Sequence, residues 1–108
     1  MLKKDLRLKR NKDFSYLYRK GAKFKGQYVS IYTLKGYHCV KVGFSLSRKV
    51  GKAVVRNLFR RRLQDIFRKE LVNLRPNKYV VVALPYITKA TYEDLEKDIH
   101  SLIEKINS

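Results

Sequence analysis

Hydrophobic positions recur with two different periods along this chain, and the switches between them mark out its elements. Phe14, Leu17 and Tyr18 share a face by i, i+3 and i+4 spacing. That spacing predicts a short helix over residues 12–20, with Asn11 as its N-cap, Asp13 in the first turn and Gly21 as its stop. Residues 27–34 alternate instead, with Tyr28, Ser30 and Tyr32 on one side and Val29, Ile31 and Thr33 on the other. Residues 39–47 do the same, placing Val40, Val42, Phe44 and Leu46 opposite Lys41, Gly43, Ser45 and Ser47. Only Lys35, Gly36, Tyr37 and His38 separate these runs, which predicts an antiparallel hairpin.

The helical period returns over residues 52–73. Val55, Leu58, Phe59, Leu63 and Ile66 fall on one side, and Arg56, Arg60, Arg61 and Arg68 on the other. Arg62 breaks the pattern, lying near the middle of the apolar side, where its head would have to snorkel out along its stem. Pro76 ends this region, and residues 79–84 (YVVVAL) have the unbroken apolar character of a strand buried on both faces. Thr91 and Asp94 match a capping box, opening a last helix with Leu95, Ile99, Leu102 and Ile106 on one stripe. The predicted order is α-β-β-α-β-α, helices on a small mixed sheet, an α+β sandwich. With 108 residues and no repeat or linker, the chain is expected to form a single domain over residues 1–108.

Charge adds a partner to this picture. Lysine and arginine number 26 against 9 acids, a net charge of +17. Residues 1–75 carry all of that excess, whereas residues 76–108 are close to neutral. Lys3, Lys4, Arg7, Lys9 and Arg10 make the first ten residues a basic arm. No acid lies between Asp13 and Asp65. Such one-sidedness fits a polyanion, because each neutralised phosphate releases condensed counterions. No apolar run is long enough to span a membrane, and no apolar segment follows the basic start as a secretory signal would. Cys39 has no partner for a disulfide and sits in an apolar segment, where a small core residue is expected. These features predict a cytoplasmic protein.

Two groups of side chains carry candidate chemistry. Arg56, Arg60 and Arg61 on the long helix can fork onto phosphates along successive turns, and Arg48, Lys49 and Lys52 extend the patch into the loop before it. Backbone N–H groups at the helix start could add to them. Phe14, Tyr18, Tyr28 and Tyr32 are the second group. Aromatic faces stack unpaired bases, but aromatics at helical or strand spacing also build cores, and spacing alone leaves both uses open. No nucleophile–base set, phosphate-cradling glycine loop or metal-ligand spacing is visible. His38 and His100 have the character of surface residues, and Glu93, Asp94, Glu96, Asp98 and Glu104 that of a solvated helix face. A catalytic role for the chain alone is therefore not expected.

The stretch VGFSLSRKVGKAVVRN at residues 42–57, continuing to Arg60 and Arg61, resembles the signature of bacterial ribonuclease P proteins. The RLKRNKDF opening at residues 7–14, the Tyr-Thr-Leu ending the first strand and the final helix are similar as well. The resemblance implies a left-handed β-α-β crossover, rare among such connections, and a protein subunit of an RNA enzyme. It implies that Arg56, Asn57, Arg60 and Arg61 face the catalytic ribonuclease P RNA, and that Phe14, Tyr18 and Tyr32 line a cleft for the 5′ leader of precursor tRNA. Mg²⁺ would be held mainly by the RNA, with no DNA or membrane partner. The third residue of the Arg-Asn-Arg motif is Leu58 here, so the interaction made by that arginine is absent or shifted. A ribosomal or general RNA-binding protein is the alternative on charge alone.

Overall fold

The strand that organises the fold is the one with the most continuous apolar character. In the computed structural model, which describes residues 6–8 and 10–108, β4 (Lys78–Ala83) lies inside a four-stranded sheet of order β1-β2-β4-β3. The others are β1 (Ala22–Lys25), β2 (Val29–Leu34) and β3 (Lys41–Ser45). Tyr79, Val80, Val81 and Ala83 are all buried, so both faces of β4 are covered, as the sequence requires. Lys3, Lys4 and Lys9 of the basic arm lie outside the described residues.

Two expectations about strands are corrected. The runs before and after residues 35–38 do not form a hairpin. β4 inserts between them, antiparallel to β2 and parallel to β3. A loop of that length permits a hairpin but does not require one, and a strand apolar on both faces gains most in the middle. The connection instead crosses the end of β4, where Tyr37 N–H donates to Pro76 O (3.3 Å) and Lys41 N–H to Asn77 O (3.2 Å). The antiparallel hairpin is formed by β2 with β1, an additional strand. The short β1 segment AKFK is mostly exposed with only Phe24 turned inward, as suits a charged edge strand. The order is therefore α-β-β-β-α-β-α. Cys39, expected in the core, is exposed in the crossing loop.

Helices cover both faces. α1 (Asn11–Lys20) packs on β2 and β4 through Leu17, which is fully buried. Its N-cap is Arg10, and Asn11 is already the first helical residue, with no side-chain cap bond. α2 (Ala53–Glu70) and α3 (Tyr92–Asn107) take the other face. A 3₁₀ turn over Leu71–Asn73 extends α2 to the predicted end. Phe59, Leu63, Ile66 and Phe67 of α2 meet Leu95, Ile99, Leu102, Ile103 and Ile106 of α3 and the strand residues Val29, Ile31, Val42 and Val81. Each such side chain contributes on the order of 1.5–3 kcal/mol when fully buried. Leu58, placed on the apolar side by its angle, is 44% exposed, because the sheet turns the buried stripe toward Phe67. Arg62 does snorkel: its guanidinium lies 5.0 Å from the centre of the Phe59 ring and shields it from water.

The capping box at Thr91 forms as predicted, Asp94 N–H donating to Thr91 Oγ1 (3.1 Å) and Thr91 N–H to Asp94 Oδ2 (3.0 Å). Asp98 is not part of a solvated face. Its carboxylate accepts the backbone N–H groups of Gln27 (2.8 Å), Tyr28 (2.8 Å) and Val29 (3.2 Å), clamping the turn between β1 and β2. Gly26 makes this possible, since a Cβ there would stand 2.6 Å from Asp98 Oδ1. The seam between α2 and α3 is polar at its rim. Tyr92 O–H donates to Asp65 Oδ2 (2.6 Å) and accepts from Lys69 Nζ (3.2 Å), and Arg68 pairs with Asp65 (2.9 Å). The Tyr92 bond, then that from Arg68, lowers the Asp65 pKa to about 2. Further along, His100 Nδ1 meets Glu70 (3.0 Å) and Nε2 meets Glu104 (2.6 Å). Its pKa is raised, first by the Glu70 hydrogen bond and then by that residue's charge.

Candidate nucleic-acid interface

β3 is an edge strand, and what surrounds that edge decides what the molecule can bind. Arg7 bridges to Val42 in parallel, and Leu8 N–H donates to Val42 O (3.0 Å), so the described part of the arm covers one end of the edge. Beyond it, a groove of about 430 Å³ opens between α1 and α2. Phe14 and Tyr18 form its α1 wall, Phe44, Ser45 and Leu46 its floor, and Arg60 reaches across from α2. A smaller recess of about 230 Å³ beside it brings Arg7, Gly43 and Gln64 into the same line.

Aromatic faces stay open here for a geometric reason. Gly43 lies directly under Phe14, where a Cβ would stand only 2.5 Å from the ring tip, so the missing side chain lets the ring settle against β3. Tyr18 is 41% exposed and meets Tyr32 edge-on, centroids 5.0 Å apart at 78°. Lys23 Nζ hangs 5.7 Å from the Tyr32 centroid. The aromatic surface thus runs from Phe14 through Tyr18 to Tyr32, with positive charge at both ends.

Tyr28 does not belong to it. It precedes β2, its N–H is held by Asp98, and its ring packs against the core and edge-on to Tyr86, 6.4 Å away. Period-two alternation grouped Tyr28 with Tyr32, but the turn clamped by Asp98 begins before the strand does.

The basic residues lie along the start of α2 and the turn before it. Arg48 and Lys49 sit exposed in a 3₁₀ turn, Arg48–Val50, just before α2, and Lys52 is the N-cap of α2. No acid occupies the first turn of that helix and no side chain caps it, which leaves its N–H groups and positive dipole end available to an anion. Asn57 and Arg61 are exposed, and Arg60 is steered by its Nη1 donating to Asn57 Oδ1 (2.9 Å). Arg56 is half-buried, with a buried Nε that lacks a hydrogen-bond partner. Arg60 lines both the groove and the recess, and Arg61 is exposed.

Sequence reasoning missed Phe44, Ser45, Leu46, Gln64 and Lys23 as part of this surface. Phe44 and Leu46 were legible only as core residues. Gln64 did carry a signal, a polar residue on the apolar side of α2, and it is buried at 7% exposure beside the recess. Among the described residues no group of three or more His, Cys, Asp or Glu could hold a metal ion. None of the residues lining groove or recess is acidic. Cations that can pair with phosphates and open rings that can stack flat groups thus stand side by side with no acid among them.

Comparison with known proteins gives such a surface a family. The Ribonuclease P family model matches residues 2–107. The chain belongs to the ribonuclease P protein family. The ribonuclease P protein component of Pseudanabaena sp. is 35% identical over 97% of this chain and 94% of its own length. That of Clostridioides difficile is 34% identical over 91% and 89%. In fold, the chain matches a Staphylococcus aureus RNase P protein mutant with defective mRNA degradation activity at a TM-score of 0.89, with 24% identity, covering 96% of this chain and 90% of that one. The RNase P protein from Thermotoga maritima matches at 0.84 with 22% identity, covering 92% and 96%. Ribonuclease P is a ribonucleoprotein endonuclease whose role is tRNA 5′ processing, and its protein component has an RNA partner. No helix among the described residues is long and apolar enough to cross a membrane.

Proposed function

We propose that the two halves of this surface bind two RNAs. Arg48, Lys49, Lys52, Arg56, Asn57, Arg60 and Arg61 contact phosphates of the catalytic RNA, and Phe14, Tyr18 and Tyr32 stack bases of the 5′ leader of precursor tRNA. The observation that carries this reading is the groove itself: exposed aromatic faces on α1 stand across from Arg60 on α2, over the β3 edge. A single strand fits that arrangement because its bases can splay onto rings while its phosphates meet arginine, as they cannot in a duplex.

Catalysis on this reading belongs to the RNA. The groove offers no carboxylate to hold a divalent ion, so Mg²⁺ is assigned to the RNA, which positions it to activate water for attack on the phosphodiester. The protein raises substrate affinity and offsets backbone repulsion, so less Mg²⁺ is needed. Leader binding also favours precursor over product, since the product no longer carries the leader. Leu58 removes one side chain from the Arg-Asn-Arg pattern, and Arg61 on the next turn is the exposed cation nearest in sequence to replace it. The protein works where tRNA precursors are made, in the cytoplasm, and has no DNA partner.

The test is cleavage of a 5′-extended precursor tRNA by a bacterial ribonuclease P RNA at low Mg²⁺, with and without the protein. Stimulation only when both are present, and abolished when the leader is cut to one nucleotide, is the expected result. Cleavage by the protein alone, or stimulation indifferent to leader length, would overturn it.

A further inference from the structure

Between Asp5 and Asp65 the chain carries a single acid, Asp13, in its most basic part. Asp13 stands next to Phe14, the ring that lines both the groove and the recess. A carboxylate so near the path of a polyanion repels it and works against binding. The first turn of α1 does suit an acid, because of the helix dipole. No side chain makes a capping bond there, however, and the carboxylate reaches the sheet instead. Its Oδ1 lies 3.8 Å from Nζ of Lys78, the first residue of β4. The same Nζ lies 4.4 Å from the centre of the Tyr37 ring, in the loop that crosses the end of β4. Asp13 and Lys78 are 28% and 24% exposed, so water and salt screen the pair less than a fully exposed one. Lys41 is the partner of Lys78 across the β3–β4 ladder, and the Asp13 charge offsets part of the repulsion between these two lysines.

We propose that Asp13 is a positioning residue that sets the height of α1 above the sheet, and with it the width of the leader groove. Leu17 is the one fully buried side chain of α1. Ahead of it, the start of the helix rests on β4 through Asp13 and on β3 through Phe14, whose ring tip lies against Gly43. Without the ion pair, the start of α1 lifts from the sheet, and Phe14 leaves Gly43 and turns its face from the groove. Asp13 touches no RNA on this account and acts through Phe14. Its effect on RNA rests on the leader reading above, whereas its effect on Phe14 does not.

The experiment compares Asp13→Asn with the unaltered protein in two readouts. In the first, each is assembled with the ribonuclease P RNA and titrated with a precursor tRNA and with the same tRNA lacking its leader. Charge alone predicts that Asp13→Asn, with one negative charge fewer, tightens both. Positioning predicts the opposite sign for one of them. The leader-bearing RNA should weaken by about three- to tenfold, part of what one stacked base contributes, and the leaderless RNA should not weaken. In the second, the Hα signals of Gly43, which lie under the Phe14 ring, should move in the NMR spectrum of the free protein. Lys78→Met breaks the same pair from the strand side and should move the same signals. Asp13→Glu, which keeps the charge, should restore both readouts. Both positions are partly exposed, so these substitutions leave the core intact. Tightening of both RNAs, equal weakening of both, or Gly43 signals that neither substitution moves would each overturn the proposal. If the unaltered protein binds both RNAs alike, the leader reading fails, and the Gly43 signals alone decide whether Asp13 places Phe14.

Discussion

The two faces of the sheet are built to opposite rules. On one, α2 and α3 close over Val29, Ile31, Val42 and Val81 with almost nothing left exposed, and polar groups pair at the rim. On the other, α1 commits only Leu17 fully to the sheet and leaves Phe14, Tyr18 and Tyr32 half open. The first face holds the fold and the second holds aromatic area back for a ligand. A +17 protein can keep such an open face because its charge also keeps copies of itself apart.

That division can be broken most forcefully from the core side. Ile99→Ala, fully buried in α3, should cost about 2–5 kcal/mol in urea unfolding and, at saturating stability, leave RNA affinity unchanged. A loss of affinity in folded protein would mean the faces are coupled. Arg60→Ala with Arg61→Ala probes the other side. It should leave the unfolding midpoint nearly fixed and lower the log–log salt slope of RNA binding by about 0.7–0.9 for each phosphate no longer neutralised. An unchanged slope would remove α2 from the interface. Tyr18→Ala sharpens the contrast within one helix, weakening a leader-bearing RNA by about 1–3 kcal/mol if a base stacks there, and a leaderless one not at all.

The smallest effect concerns the rim of the core face. The pKa of His100 is raised in the folded protein by Glu70 and Glu104. Its contribution is therefore complete below the ordinary value of 6.5 and is lost as pH rises through the raised one. Thermal stability should fall slightly over that window, and His100→Gln should flatten the fall. Because the pair is exposed, a large change would contradict its assignment to the rim.

The dense face was the legible one. Apolar period gave the presence of α2 and α3, the inward stripe of Leu95, Ile99, Leu102 and Ile106, and a both-faces-buried β4. What period could not give was who lies beside whom. β1 was missed because one Phe between lysines is a weak pattern, and the β2–β3 hairpin was misplaced because sequence distance says little about a third strand entering between them. In the candidate site, the arginines were legible from their spacing along α2, and Asn57 entered only with the family resemblance. Phe14, Tyr18 and Tyr32 could be assigned only with the family resemblance, and Tyr28 was grouped wrongly because Asp98, about 70 positions away, fixes where β2 starts.

That carboxylate has a consequence for the order in which the chain can take shape. A ribosome releases the β1–β2 turn long before it makes α3, so the amides of Gln27, Tyr28 and Val29 wait for Asp98 while the rest of the chain is synthesised. β3 likewise has no neighbour strand until β4 emerges to sit between it and β2. The most basic two-thirds of the molecule is thus exposed as an unfinished sheet, and its last third, nearly neutral, completes the fold by inserting β4 between β2 and β3 and laying α3 over the sheet. Shortening the chain at its end would therefore undo its beginning.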